Sequence, residues 1–435
     1  MDMVGDALRP ARGTGAAYDK ILPLRQRAEV RNRWLRQRLD ELLPEIMARE
    51  GFDMWIVIAR EYNEDPVIMT LLPEPMMSAR RRTILVFSLR EDEGLERLVL
   101  SRYGLGELYE GVWNPDEEDQ YDCLGRVVRE RDPGSIGIDI SETFAFGDGL
   151  THGEYLQLAA ALGEAYMART RGAERLAVGW LERRIQPEID AYSGIVEIAH
   201  AIIAEAFSSR VVHPGITTTE DVVWWMRQRI LDLGLGTWFQ PSVSIQARGQ
   251  GAPKPGDRPE GARKLILPGD LLHCDMGIQY LGLATDAQQN AYVLKLGEAG
   301  APEGLRAALV TANRLQDILV GEFKAGRTGN QILAAALGRA TGEGIRASIY
   351  THPLGYHGHA AGPTIGLWDR QDGVPGRGDY ELFDDTCYAI ELNIRQDVPE
   401  WGGQEVRMAL EEDVVFTGGA VHWLDGRQTE LHLIG

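Results

Sequence analysis

An α/β fold of two units is the class this sequence predicts, with a smaller α/β domain over residues 1–182 and a larger α+β domain over residues 183–435. Three observations lead there. The chain has 435 residues, which at about 150 residues per domain makes two or three folding units, each able to bury its own core. Its first part reads as a long helix, then short apolar strands, then a closing helix. The remainder opens on two helices and goes on to alternate strands with one helix pair near residues 302–337.

Leu35, Leu39, Leu42, Leu43 and Ile46 recur at helical spacing among Arg and Glu, so residues 23–50 form an amphipathic helix with a kink at Pro44. Residues 54–59, 83–88, 98–100 and 136–139 are apolar runs of strand length, and 154–169 is helical. In the second unit a helix over 186–208 carries Pro187 near its start and Glu188 in its first turn, where the free N–H groups favour an acid. Pro214-Gly215-Ile216-Thr217 announces the next helix, over 218–235. Residues 248–264 are rich in Gly and Pro and too long for a plain connection, which makes them a candidate rim or lid of a cleft.

Composition removes several classes of function. A net charge of −20 repels polyanions, and the one basic cluster, Arg80-Arg81-Arg82, is the solvated entrance to a strand, so nucleic acid is excluded as a partner. Three cysteines are an odd number for a disulfide framework and fit a reducing compartment; Cys274 reads as a small buried residue. No apolar run reaches about 18 residues, and Met1-Asp2-Met3-Val4-Gly5-Asp6 has no leader pattern, so the expectation is a cytoplasmic protein with no membrane contact.

The chemistry concentrates in the second unit. Residues 269–280 and 285–294 read as two strands, and a hairpin symmetric about Tyr280 and Leu281 sets Asp275 and Asp286 across from each other with Cβ atoms ~5 Å apart. Two carboxylates that close repel unless one is protonated or a cation lies between them. Glu391 inside an apolar strand and Glu412 before Val414-Val415-Phe416 are further acids that burial would oblige to find partners. The segment His352-Pro353-Leu354-Gly355-Tyr356-His357-Gly358-His359 adds imidazoles, one as a ligand and the others beside it or facing substrate. Imidazole among carboxylates suits Mn, Fe, Co or Zn better than Mg or Ca.

On these residues the chain resembles the creatinase/aminopeptidase P/prolidase family of pita-bread metallopeptidases. The resemblance rests on Asp275, Gly277 and Asp286, on Gly358-His359-Ala360-Ala361-Gly362, on Glu391, and on Arg407 followed by Glu412-Asp413. Pro187-Glu188-Ile189 and His213-Pro214-Gly215 add to it. It implies a pita-bread catalytic domain behind a creatinase-like N-terminal domain, with Asp275, Asp286, His359, Glu391 and Glu412 holding two divalent ions. Those ions would be Mn, with Co, Zn or Fe as alternatives. It further implies a homodimer acting on a small peptide or amide, an Xaa-Pro aminopeptidase or dipeptidase-like hydrolase working through a metal-bridging hydroxide, with Glu391 as proton shuttle and His352 and Arg407 as further catalytic residues.

The sequence also departs from that pattern. No histidine stands between His213 and His273, where the family carries a catalytic one, and Trp368-Asp369 occupies the region of another. Leu392 replaces the proline after the strand Glu, and Gln288-Gln289 replaces Thr-Arg. Ala409 and Leu410 stretch the Arg-to-Glu spacing, so Glu411 rivals Glu412; His357 likewise rivals His359. His273, two residues before Asp275 on one strand face, is assigned an acid/base or oxyanion role in compensation. Two alternatives stay open: a non-peptidase enzyme on the same scaffold, such as an amidinohydrolase or lyase, and a binding module without catalysis.

Overall fold

The computed structural model describes residues 15–90, 92, 94–250 and 264–435. The chain divides into two compact units, residues 23–187 and residues 188–435 joined by the segment before Pro23. The division thus falls at Pro187, where the expectation put it at Glu182. Most of the lid expected over residues 248–264, and the leaderless start Met1–Asp6, lie outside the described residues.

The N-terminal unit is built on a six-stranded sheet in the order Glu110–Gly111, Gly94–Leu100, Arg82–Arg90, Met54–Arg60, Ile136–Ile138, Thr170–Gly172. Met54–Arg60 lies inside it, antiparallel to Arg82–Arg90 and parallel to Ile136–Ile138, which is why its sequence is apolar on both faces. Met54, Ile56 and Ile58 alternate onto one face and pack with Leu124, Val128 and Leu158 from helices Gln120–Arg131 and His152–Met167. The expected kink at Pro44 is a single π turn, Arg38–Leu42, between helices Leu24–Gln37 and Leu43–Glu50. Proline has no N–H to return to residue 40, and the wider turn absorbs the missing bond.

Asp65 and Asp139 are two of the acids buried in this unit. Asp139 accepts from Trp55 Nε1 at 2.7 Å, Asp65 accepts from the Val67 N–H at 2.7 Å, and the two carboxyl groups interact directly. Burial and then the neighbouring Asp65 push Asp139 well above the ordinary carboxylate range, and burial pushes Asp65 up to about 6. Both folded-state values lie above the unfolded ones, so the stability tied to these protons is present at low pH and is lost as pH rises through about 6. Asp139→Asn keeps the acceptor for Trp55 and supplies a permanent N–H toward Asp65. It should flatten the fall in melting temperature between pH 5 and 8 and add about 1–3 kcal/mol at the upper end. An unchanged pH slope in calorimetry would show that the pair shares no proton.

The C-terminal unit begins with helices Gln186–Ala206 and Thr219–Asp232, the second closed by a Thr218/Asp221 capping box. One four-stranded sheet runs His432–Ile434, Ala287–Val293, Leu271–Met276, Ser242–Gln246. A three-stranded sheet holds Arg346–Ile349, Leu392–Val398 and Gln404–Leu410, and another four-stranded sheet holds His352–Leu354, Thr386–Ala389, Asp413–Thr417 and Ala420–Trp423. Helices Glu303–Val320 and Gly329–Gly342 cover the three-stranded sheet, burying Leu309, Leu315 and Ile332 with Ile349, Ile394 and Met408. Each such side chain contributes about 1.5–3 kcal/mol by leaving water.

What positions the site is a seam between these last two sheets. Three segments step from one sheet to the other side by side, at Tyr350-Thr351, Ile390-Glu391 and Glu411-Glu412. Backbone bonds tie the crossings together: Tyr350 N–H to the Glu391 carbonyl at 3.0 Å, and Ile390 N–H to the Glu412 carbonyl at 2.9 Å. Gln288 and Glu411 exchange both backbone bonds, at 3.0 and 3.1 Å, and so join the remaining four-stranded sheet to the seam.

Candidate metal centre

The Asp275 and Asp286 hairpin forms in a shifted register. Its turn residues are Leu281 and Gly282, with φ of 54° and 83°, the two positive values that a two-residue primed turn requires. Asp275 therefore lies opposite Gln288, and Asp286 is its diagonal neighbour on the same face instead of its direct partner. Diagonal placement still suffices: Asp275, Asp286 and Glu411 each bring a carboxylate oxygen within 4.8 Å of the other two.

Two more groups meet the same limit, Asp286 with His352 and His359, and His352 with Glu391 and Glu411. The three overlap through Asp286, Glu411 and His352, so six side chains make one cluster. His352 Nε2 lies 3.2 Å from Glu411 Oε1 and 3.6 Å from Asp286 Oδ2. Its Nδ1 lies 3.0 Å from the Pro353 carbonyl, which requires a proton there and turns Nε2 toward the acids. The His352 and His359 rings stand edge to face at 4.6 Å.

Glu411 is thus gathered into the cluster, and Glu412 is placed elsewhere. Successive side chains at the crossing leave on opposite sides, and Glu412 accepts from the Gln428 N–H at 2.8 Å and from Gln289 Nε2 at 3.2 Å. Its other oxygen is 2.8 Å from His200 Nε2, and His200 Nδ1 is 2.8 Å from Asp425. Burial opposes a charge on His200, but Glu412 and Asp425 outweigh it and push the imidazole up to about 10. His357 belongs to none of the groups found among the described residues. The sequence held a signal for His352: a residue before proline is restricted to extended backbone, so His352 stands on a strand while His357 and His359 lie among glycines.

His273 and Arg407 flank the cluster without entering it. His273 Nε2 lies 2.9 Å from Gln288 Oε1, so its partner is an amide and not a ligand carboxylate. Burial and then Arg407 hold His273 down at about 4, neutral at physiological pH. Gln288 Nε2 donates to Glu391 Oε1 and to Glu411 Oε2, both at 2.8 Å. That residue figured in the sequence only as a departure from a pattern, and polar character alone gave no sign of two acidic neighbours.

The electrostatics suit a cation. Burial, then Glu391, pushes Asp275 up to about 7; burial with neighbouring acids pushes Asp286 and Glu411 well above the carboxylate range, and burial raises Glu391. Asp286 Oδ1 is buried with no hydrogen-bond partner among the described residues. Four crowded acids, an orphaned oxygen and two imidazoles are a donor set for divalent transition metals, which would replace the protons that the acids otherwise retain.

Aromatic side chains wall the cluster. Trp238 donates Nε1–H to the Thr285 carbonyl at 3.0 Å and meets the His359 ring edge to face at 5.0 Å. A Cβ on Gly358 would fall 2.0 Å from that indole, so only glycine lets the loop pass. Tyr350 Oη is 3.3 Å from His359 Nε2, and the positive charge of exposed Arg377 is felt at both His359 and Tyr350.

A family model described as metallopeptidase family M24 matches residues 191–418, just over half of the 435. No curated protein matches the chain closely enough to count as a relative. Solved structures that are similar include an X-Pro aminopeptidase from Thermotoga maritima, at 16% identity and TM-score 0.63, covering 89% of this chain and 99% of that one. A dipeptidase from Pyrococcus horikoshii is similar at 20% identity and TM-score 0.60, covering 91% and 99%. The N-terminal domain of FACT complex subunit SPT16 from Cicer arietinum is similar at 12% and 0.55, covering 93% and 99%. At such identities these likenesses establish the fold, a two-domain pita-bread architecture.

Proposed function

The chain belongs to metallopeptidase family M24, the creatinase, aminopeptidase P and prolidase group, and from that premise we propose that it is a dinuclear metal-dependent peptidase that cuts the C–N bond of small peptides, Xaa-Pro peptides among them. The observation that supports the reading is the overlap of three ligand groups through Asp286, Glu411 and His352, which would let two cations share carboxylates. Asp275 would complete the site of one, and His352 with His359 that of the other. Two such cations, when bound, ionise a water near neutral pH and polarise the scissile carbonyl.

The rest falls to the chain's own side chains. Glu391, with Oε1 held by Gln288, has its other oxygen for both tasks, as a ligand and as the group that would take a proton from the attacking water and return it to the leaving nitrogen. Trp238 and Tyr350 offer flat apolar surface for a pyrrolidine ring beside His359. Arg377 at the exposed edge suits the C-terminal carboxylate of a short peptide.

The test is metal content after reconstitution with Mn or Co, with hydrolysis of Xaa-Pro dipeptides and longer Xaa-Pro-Xaa peptides measured on the same sample. Two cations per chain with turnover is the expected result, and Arg377→Ala should raise KM for dipeptides about tenfold through the lost ion pair. Two cations without cleavage of any peptide would point to a different reaction on this scaffold. No metal after reconstitution would end the enzymatic reading.

A further inference from the structure

The Gln288 amide is fully committed in one orientation. Its Nε2 lies between two carboxylate oxygens, Glu391 Oε1 and Glu411 Oε2, each at 2.8 Å, and its two N–H groups serve one oxygen each. Its Oε1 faces His273 Nε2 at 2.9 Å, so the ring supplies the matching proton. Both amide hydrogens and an acceptor lone pair are thereby used in a side chain only 4% exposed, on a residue whose backbone is bound twice to Glu411. Nothing in this arrangement can rotate without stranding a buried polar atom.

The bonds select among the carboxylate oxygens. With Oε2 of Glu411 held by the amide, Oε1 is the oxygen left for the cluster, and it is the one 3.2 Å from His352 Nε2. With Oε1 of Glu391 held, Oε2 is left. A carboxylate free at both oxygens can close on one cation with two bonds; one anchored through an oxygen meets any cation, shared or not, through the remaining oxygen alone.

We propose that Gln288, oriented by His273, is a positioning residue that restricts Glu391 and Glu411 to one cation-facing oxygen each and so keeps a coordination position open for water or substrate. This rests on the reading of the cluster as a divalent-cation site. It gives His273 a role through Gln288, and it gives the Gln-Gln pair a division of labour, since Gln289 serves Glu412 on the opposite side.

Cobalt(II) reports coordination number through its visible absorption, independently of peptide turnover. The full-length protein, Gln288→Met (similar volume, no donors) and His273→Asn (the amide loses its ring partner) are each reconstituted with Co(II), and melting curves verify folding. Both variants should bind cobalt with a weaker visible band, as freed carboxylates raise the coordination number, and kcat should fall about tenfold or more while KM stays within about twofold. Wild-type spectra and kcat in the folded variants would overturn the inference and leave the metal reading intact. Should Gln288→Met not fold, His273→Asn decides by the same spectrum. A wild-type protein that takes up no cobalt would overturn the metal reading, and this inference with it.

Discussion

Glu411→Gln should lose at least one bound cation and reduce kcat by more than the about 10–100-fold that outlying partners of metal ligands cost, whereas Glu412→Gln should keep both cations. The two substitutions are chemically identical and one residue apart, so the contrast isolates direction. Glu411 belongs to two of the three ligand groups, and its neutral amide would replace a shared charged oxygen with a weaker ligand. Glu412 faces His200, the Gln428 N–H and Gln289. Its amide could still accept from Gln428 but would leave partly buried, protonated His200 with Asp425 alone, so the cost should appear as stability, up to about 3–5 kcal/mol, the range for breaking a fully buried pair. Metal analysis and melting temperature on the same samples separate the cases. Loss of metal from Glu412→Gln alone would return the ligand to the residue favoured by the Glu-Asp motif.

Why the Glu-Asp motif favoured Glu412 also shows how far the sequence reached. Periodicity located the strands and their approximate ends, because burial on both faces leaves continuous apolar runs such as residues 54–59 and alternation follows the two-residue repeat. Two of the acids were legible for the same reason: Asp275 and Glu391 interrupt apolar stretches, and an interruption costs free energy unless a partner offsets it. Register was not legible, since a two-residue turn at Leu281-Gly282 and one at Tyr280-Leu281 leave the hydrophobic pattern nearly the same. The side taken by Glu411 or Glu412 depends on where the strand leaves one sheet for the next, which is fixed by the neighbouring crossings at Tyr350-Thr351 and Ile390-Glu391. Gln288 and Trp238 owe their places to contacts across more than 100 residues and 47 residues of chain, and no local signal encodes such partners.

Removing the cations should perturb the C-terminal unit in proportion to pH, with the sign set by the acids. Without metal, Asp275 is pushed up to about 7, and Asp286 and Glu411 lie well above their ordinary values through burial and mutual repulsion. Acids raised in the folded state stabilise the fold while protonated and withdraw that stability as pH rises through their folded values. The metal-free protein should therefore melt progressively lower from pH 5 to 8. Cations take the place of those protons, so their affinity should strengthen over the same interval. At a thousand times the dissociation constant each adds about 4 kcal/mol. The melting temperatures of loaded and stripped protein then diverge with pH, and calorimetric titration of Mn(II) near pH 7 in two buffers of different ionisation heat should register proton release on binding. A stripped protein that melts no lower at pH 8 than at pH 6, with no proton released on titration, would mean that the carboxylates are already ionised without a cation. The repulsion that first drew attention to Asp275 and Asp286 would then have to be relieved by the surrounding hydrogen bonds alone.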